Sequence, residues 1–402
     1  MSRLAVPQTH PFGIHNLPYG VYSSGGGDRR VAVRHGDHVV DLAIVLDDTT
    51  TFEQPSLNRF MAQGYDRWVQ VRELLSVALT GEVPESAVHA IDDVALHLPF
   101  EVADYVDFYA SEHHAANLGR LFRPEQPDPL MPNWKHLPVG YHGRSASIVV
   151  SGTEVVRPAG QRMGPGDPVP VFGPSARLDI EAELGFVVGV GNHMGTCIDV
   201  EEAEQRIFGV VLFNDWSARD IQAWEYVPLG PNLGKSFAST ISPWVVPMLA
   251  LQPAKVDTPR QHPEPLPYLA MERPWGLDVE LEVEWNGHVV SRPPYAAMYW
   301  SPAQMLAHET VNGAPTRTGD LFASGTVSGP AKEQRGAFIE LTWGGTEPVL
   351  VNGEQRTFLE DGDEVVLRGT APGPSGTRIG FGEARGRIRS NPLGAWPGRS
   401  QD

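Results

Sequence analysis

The 402-residue sequence predicts a mainly β chain of the α+β class, with a small N-terminal unit and a larger β-rich unit. Three observations carry this. The chain holds 42 Gly and 36 Pro, and beyond about residue 100 they break the apolar runs into short pieces, a pattern of strands and turns. Asn286-Gly287 sits inside "LEVEWNGHVVS", the residue pair that a two-residue hairpin favours. The clearest helical spacing lies early, where "DRWVQVRELLSVAL" puts Trp68, Val71, Leu75 and Ala78 on one face, with Asp66 as N-cap.

Taken in order, "RRVAVRHGDHVVDL" alternates on both sides of Gly36-Asp37 and reads as a hairpin. The helix follows, and "ALHLPFE" around Pro99 marks a boundary between residues 1–100 and 101–402. In "DYVDFYASEHHAANLGRLFRP" Asp107 and Tyr109 share a strand face, and Ser111 caps a short helix. On that helix His114, Leu118 and Leu121 form a buried face, while His113 points to the solvated side with Asn117 and Arg120. His114 is equally a core histidine or a working base on this stretch alone. "EDGDEVVLRG" is a turn entering a strand, "AFIEL" an apolar strand, and "GPGDPVPVFGPS" a surface connection.

Lys plus Arg number 31 against 49 Asp plus Glu, a formal charge of −18. That field opposes nucleic acid and anionic membrane surfaces but leaves room for a small anionic ligand held by a few local cations. Cys197 is the single cysteine, so no intrachain disulfide forms. "MSRLAVPQTHPFG" lacks the apolar core of a signal peptide, and no apolar stretch nears the ~20 residues of a membrane helix. A cytoplasmic protein is expected.

"LDIEAELGF", residues 178–186, places Asp179, Glu181 and Glu183 on one strand face. A near twin, "LDVELEVEW" at 277–285, lines up Asp278, Glu280, Glu282 and Glu284 and runs into the Asn-Gly hairpin, as a solvated outer face would. The acidic pattern therefore does not by itself distinguish a metal site from a wet surface. Asp215 ends a nearby apolar run in "LFNDWSARDIQAWEYVPLGPNLGKSF". Carboxylates from two neighbouring strands offer the hard oxygen donors that Mg²⁺ or Ca²⁺ take, without the imidazole or thiolate of a zinc site.

These segments, with "NLPYGVYS", "LMPNWKHLPVGYHGRSASIVVSGT", "ISPWVVPM", "SGTVSGP" and "FLEDGDEV", resemble the fumarylacetoacetate hydrolase family over nearly the whole chain. The resemblance implies an SH3-like N-terminal barrel, a larger mixed β-sheet roll and a homodimer. It implies metal-dependent cleavage of a carbon–carbon bond in 4-fumarylacetoacetate, giving fumarate and acetoacetate at the end of tyrosine and phenylalanine degradation. The metal, Mg²⁺ or Ca²⁺, would fall on Asp107, Glu181, Glu183 and Asp215, with Asp179 structural or solvated. His114 matches the general base and Glu340 the carboxylate that orients it. Arg219 and Lys235 match positive groups near the reacting oxygens, and Tyr109, Arg123, Tyr141, Gln222, Tyr226 and Thr326 match contacts to a small diketo-acid substrate. A second metal would lie near Lys235 and Ser239, where the family carries Thr. Related enzymes with the same acidic set act as acylpyruvate hydrolases, decarboxylases, isomerases or hydratases. A silent metal-binding scaffold is the alternative of another class, and it would need neither His114 nor Glu340.

Overall fold

A computed structural model describes Met1 and residues 3–164 and 166–392. Its centre is a thirteen-stranded mixed sheet. Strand Ile207–Asp215 pairs antiparallel with Ala182–Val188, which pairs with Leu321–Ala323. The last runs parallel to Tyr105–Phe108, and Gly140–His142 closes that edge. Both Ala182–Val188 and Ile207–Asp215 are buried along their whole length. Alternation there separates two dry faces, not a dry face from a wet one. Val210 and Leu212 enter one apolar cluster, Val211 and Phe213 the other.

The N-terminal elements cover the second face: Phe60, Trp68, Val71 and Leu75 share a core with Phe208, Val211 and Phe213. Here strand Tyr19–Ser24 pairs with Arg30–His35, Val94–His97 and Trp244–Pro247. The N-terminal strands are thus stitched onto the main sheet, and among the described residues Val88–Ala90 and Val94–His97 do not pair to close a ring. A five-stranded sheet, antiparallel except where Arg378–Arg389 runs parallel to Val155–Val156, covers the other side and carries the acidic twin strand.

Both expected hairpins form. Asn286 (φ 50°) and Gly287 (φ 80°) make the left-handed turn between Glu280–Trp285 and His288–Ser291. Gly36 (φ 65°) turns Arg30–His35 into His38–Asp41. The early helix spans Tyr65–Thr80 and buries Trp68, Val71, Leu75 and Leu79. Two details differ from the sequence reading. Gly64, not Asp66, is the N-cap, because its φ of 87° turns the chain inward two residues earlier. Leu79, not Ala78, fills the last core position with its larger side chain.

Two further corrections concern the site. "LDIEAELGF" is two strands, Leu178–Asp179 and Ala182–Val188, interrupted at Ile180 and Glu181. "AFIEL" is not a strand: Phe338–Leu341 is one helical turn. The cause is Asp179, whose carboxylate accepts from the backbone N–H of Phe338 (2.7 Å) and Ile339 (3.1 Å) and so satisfies the donors at the start of the turn.

Candidate active site and metal centre

Four carboxylates meet where these strands end. Asp107 comes from Tyr105–Phe108, Glu181 from the interruption, Glu183 from Ala182–Val188 and Asp215 from the end of Ile207–Asp215. One oxygen of each lies within 4.8 Å of the others, and all four residues are buried. The twin strand behaves as a surface: Asp278 and Glu280 are exposed, and Glu282 and Glu284 pair with Arg292 and Arg368. The two acidic stripes differ in their neighbours, not in their pattern.

The electrostatics suit a hard cation. Both oxygens of Glu183 and Oδ1 of Asp107 are buried without a hydrogen-bond partner. Burial and the neighbouring carboxylates push the Asp107 and Glu183 carboxyls well above the usual range. Burial also opposes charge on Glu181, but Lys235, Arg219 and His114 outweigh it and hold its carboxyl well below that range. Buried acceptors without donors are costly, and a divalent ion shared by these oxygens removes the cost. The donor set therefore fits such an ion, and it offers oxygen alone.

Lys235 reaches between Glu181 and Asp215, its Nζ donating to Asp215 at 2.7 Å. Tyr141 donates to the same Asp215 oxygen at 2.9 Å, and Ser239 to the other at 2.9 Å. The Ser239 hydroxyl thus supports one member of the four-carboxylate cluster. Arg219 donates to Asp179 and Glu181, each at 2.8 Å, and to Gln222 at 3.2 Å. Asp179 is buried and structural: it joins Arg219 to the turn that carries Glu340.

That turn faces helix Glu112–Phe122, capped by Ser111 as expected, its hydroxyl accepting from the His114 N–H at 3.2 Å. His114 is buried, its Nδ1 2.6 Å from Glu340 and its Nε2 3.7 Å from Glu181. A carboxylate on Nδ1 fixes the tautomer and leaves Nε2 to face the carboxylate cluster. Glu340 also accepts from Asn117 and Ser328, each at 2.9 Å. Burial works against its charge, yet His114, Asn117 and Ser328 together hold its carboxyl below the ordinary range. Asn117 escaped the sequence reading because its phase suggested the solvated side of the helix; Leu121 and His113 are both half-buried.

A cavity of about 400 Å³ opens onto this cluster. Asp107, Tyr109, His114, Arg123, Tyr141, Glu181, Arg219, Gln222, Tyr226, Lys235 and Thr326 all line it. Among the sequence-selected residues Glu183, Asp215, Ser239 and Glu340 are not in the lining; they stand behind residues that are. The Tyr109 ring meets His114 edge-on at 5.3 Å. Thr326 Oγ1 is buried without a partner. Arg123 donates to Gln126 and to the Pro129 carbonyl, each at 3.1 Å, which orients its guanidinium.

Among known proteins, residues 15–99 match the family described as fumarylacetoacetase N-terminal, and residues 104–389 that described as fumarylacetoacetate hydrolase C-terminal. The chain is 47% identical to fumarylacetoacetase of Homo sapiens over 414 aligned positions, covering 96% of this chain and 98% of the human protein. It is 44% identical to that of Arabidopsis thaliana over 407, covering 95% and 96%. Its fold is shared with a fumarylacetoacetate hydrolase of Exiguobacterium antarcticum, at a TM-score of 0.57 and 18% identity over 93% of this chain and 100% of that one. A maleylpyruvate hydrolase of Sphingobium sp. SYK-6, solved with manganese(II) and pyruvate, superposes with a TM-score of 0.54 at 13% identity, covering 93% and 100%. With both halves matched and this identity sustained over almost the whole length, the chain belongs to the fumarylacetoacetate hydrolase family.

Proposed function

We propose that this protein hydrolyses the carbon–carbon bond of 4-fumarylacetoacetate to give fumarate and acetoacetate, the closing step of tyrosine and phenylalanine breakdown. The observation that carries the reading is the His114–Glu340 pair set against four buried carboxylates in one cavity. A scaffold would need the carboxylates but not the pair.

Asp107, Glu181, Glu183 and Asp215 would hold a divalent cation, Mg²⁺ or Ca²⁺ by the chemistry of the donors. When bound, it supplies Lewis acidity toward the oxygens of a β-diketone. His114 Nε2 takes a proton from water, whose oxygen attacks the carbonyl beside the fumaryl group. Glu340 on Nδ1 keeps that proton-accepting tautomer and stabilises the imidazolium once formed. Lys235, Gln222 and Arg219 face the same cavity and donate toward the developing oxyanion. Arg123, Tyr109 and Tyr226 hold a substrate carboxylate, and Tyr141 and Thr326 complete the wall. His114 returns its proton to the acetoacetate carbon as the bond breaks. A second cation beside Lys235 and Ser239, the division into units at residues 100 and 101, an SH3-like N-terminal unit, a cytoplasmic setting and a homodimer rest on the family resemblance. The exposed Val227, Leu229 and Leu233 beside the cavity are apolar surface that a second copy would cover.

The test is direct. Purified protein mixed with fumarylacetoacetate should consume its ultraviolet absorbance, with fumarate and acetoacetate appearing in equal amounts. Absence of both products from a metal-loaded sample would overturn the assignment.

A further inference from the structure

The proposed substrate carries a carboxylate at each end, and Arg123, Tyr109 and Tyr226 take one of them. A second cavity of about 390 Å³ adjoins the first, and Tyr141, Pro231 and Lys235 line both. In a chain of formal charge −18, no Asp or Glu among the described residues lines this second cavity, whereas Arg144, His142 and Lys235 do. Arg144 is exposed, and among the described residues no carboxylate lies in ion-pair range of it. Most other cations near the reaction centre are already engaged: Arg219 with Asp179 and Glu181, Lys235 with Glu181 and Asp215.

The backbone fixes the place of this residue. Gly140–His142 is tied to the Asp107 strand, with Tyr141 opposite Asp107. Gly143 donates to the Tyr105 carbonyl at 2.9 Å, and a Cβ at Gly143 would lie 2.1 Å from the Tyr105 ring. Past Arg144, strand Ile148–Val150 pairs with Ser239–Ile241, next to Ser239, the donor to Asp215. The segment bearing Arg144 is therefore anchored on both sides to strands that supply the carboxylate cluster. Its position is set by the same register that builds the reaction centre.

We propose that Arg144, with His142, forms a second carboxylate subsite, which takes the end of the substrate that Arg123 does not. The inference rests on the hydrolase reading for the identity of its ligand. Arg123 and Arg144 then act as two clamps on a dianion, with the reacting carbonyls between them near Lys235. A monoanion would engage one clamp and slide, so Arg144 is a specificity residue for dicarboxylates.

Wild type, Arg144→Ala and Arg144→Lys are compared on fumarylacetoacetate and on its two monomethyl esters, with metal content matched by elemental analysis. A charged hydrogen-bonded pair of this kind contributes about tenfold or more in binding, so R144A should raise KM for the diacid by at least that factor and lower kcat less. R144K should recover part of the loss. R144A should cost nothing further on the ester that blocks the end it holds, and cost the full amount on the other ester. Equal losses on all three substrates, or no loss on any, overturn the subsite. If wild type turns over none of them, the hydrolase reading falls, and the subsite is read from calorimetric binding of fumarate. Weaker binding to R144A by the same factor then supports it, and unchanged binding overturns it.

Discussion

His113 and His114 are adjacent, and their surroundings set them apart. His114 is buried between Glu340 and Glu181, whereas His113 is half-buried on the flank of the helix. His114→Ala should lower kcat by at least ~10²-fold, the usual range for a lost general base, and His113→Ala should stay within a few-fold. Similar losses in steady-state assays would remove the distinction. Glu340→Gln should lower kcat while metal affinity, read by calorimetry, stays near wild type. Its double variant with His114→Ala should be little worse than His114→Ala alone, because the pair acts as a unit. Asp179 shows how far the residue level was legible. The family resemblance left it structural or solvated, and only its burial and bonds in the fold separate the two. A carboxylate that pins a distant helical turn leaves no local signature in the sequence.

At the level of elements, spacing and turn chemistry located the hairpins and helices because those signals are local: Asn286-Gly287, Gly36 and the Ser111 cap all act within a few residues. Phe338–Leu341 was misread as a strand because its cause lies 159 positions away, at Asp179. Tertiary bonding overrode an apolar pattern of neutral propensity. Asp179→Asn tests this link. It leaves the buried Arg219 with a neutral partner and weakens the cap, so denaturant unfolding should show a loss of about 3 kcal/mol, the scale of a broken buried pair. The turn carries Glu340, so kcat should fall as well. A variant as stable and as active as wild type would mean that the turn holds itself.

For the whole molecule, a cation on the four carboxylates would join the strands that carry them. Exhaustive chelation should abolish turnover, and Mg²⁺ or Ca²⁺ should restore it. Restored metal should also raise the melting temperature, since a ligand at a hundred times its Kd adds about 2.7 kcal/mol. Glu181→Gln should impair metal binding and rate far more than Glu280→Gln. Full activity in protein shown to be metal-free would defeat the assignment. Away from the site, burial, with Asp320 and Asp104 nearby, raises the Glu309 carboxyl to about 8, and one of its oxygens is buried without a partner. The folded value exceeds the unfolded one, so the stability this group contributes is complete below about pH 4.3 and is lost as pH rises through about 8. Thermal melts should therefore show Glu309→Gln gaining on wild type between pH 5 and pH 8.5. A constant gap across that range would contradict the shift.

His114 and Glu340 stand 226 positions apart, and the strand that links the Asp107 side to the core, Leu321–Ala323, pairs in parallel across a similar interval. Contacts of such long range form only after the chain between them has condensed. A chain that has not yet brought helix Glu112–Phe122 against the turn Phe338–Leu341 does not hold His114 beside Glu340. Turnover during refolding should therefore appear only once these long-range contacts have formed, so that its onset times their assembly.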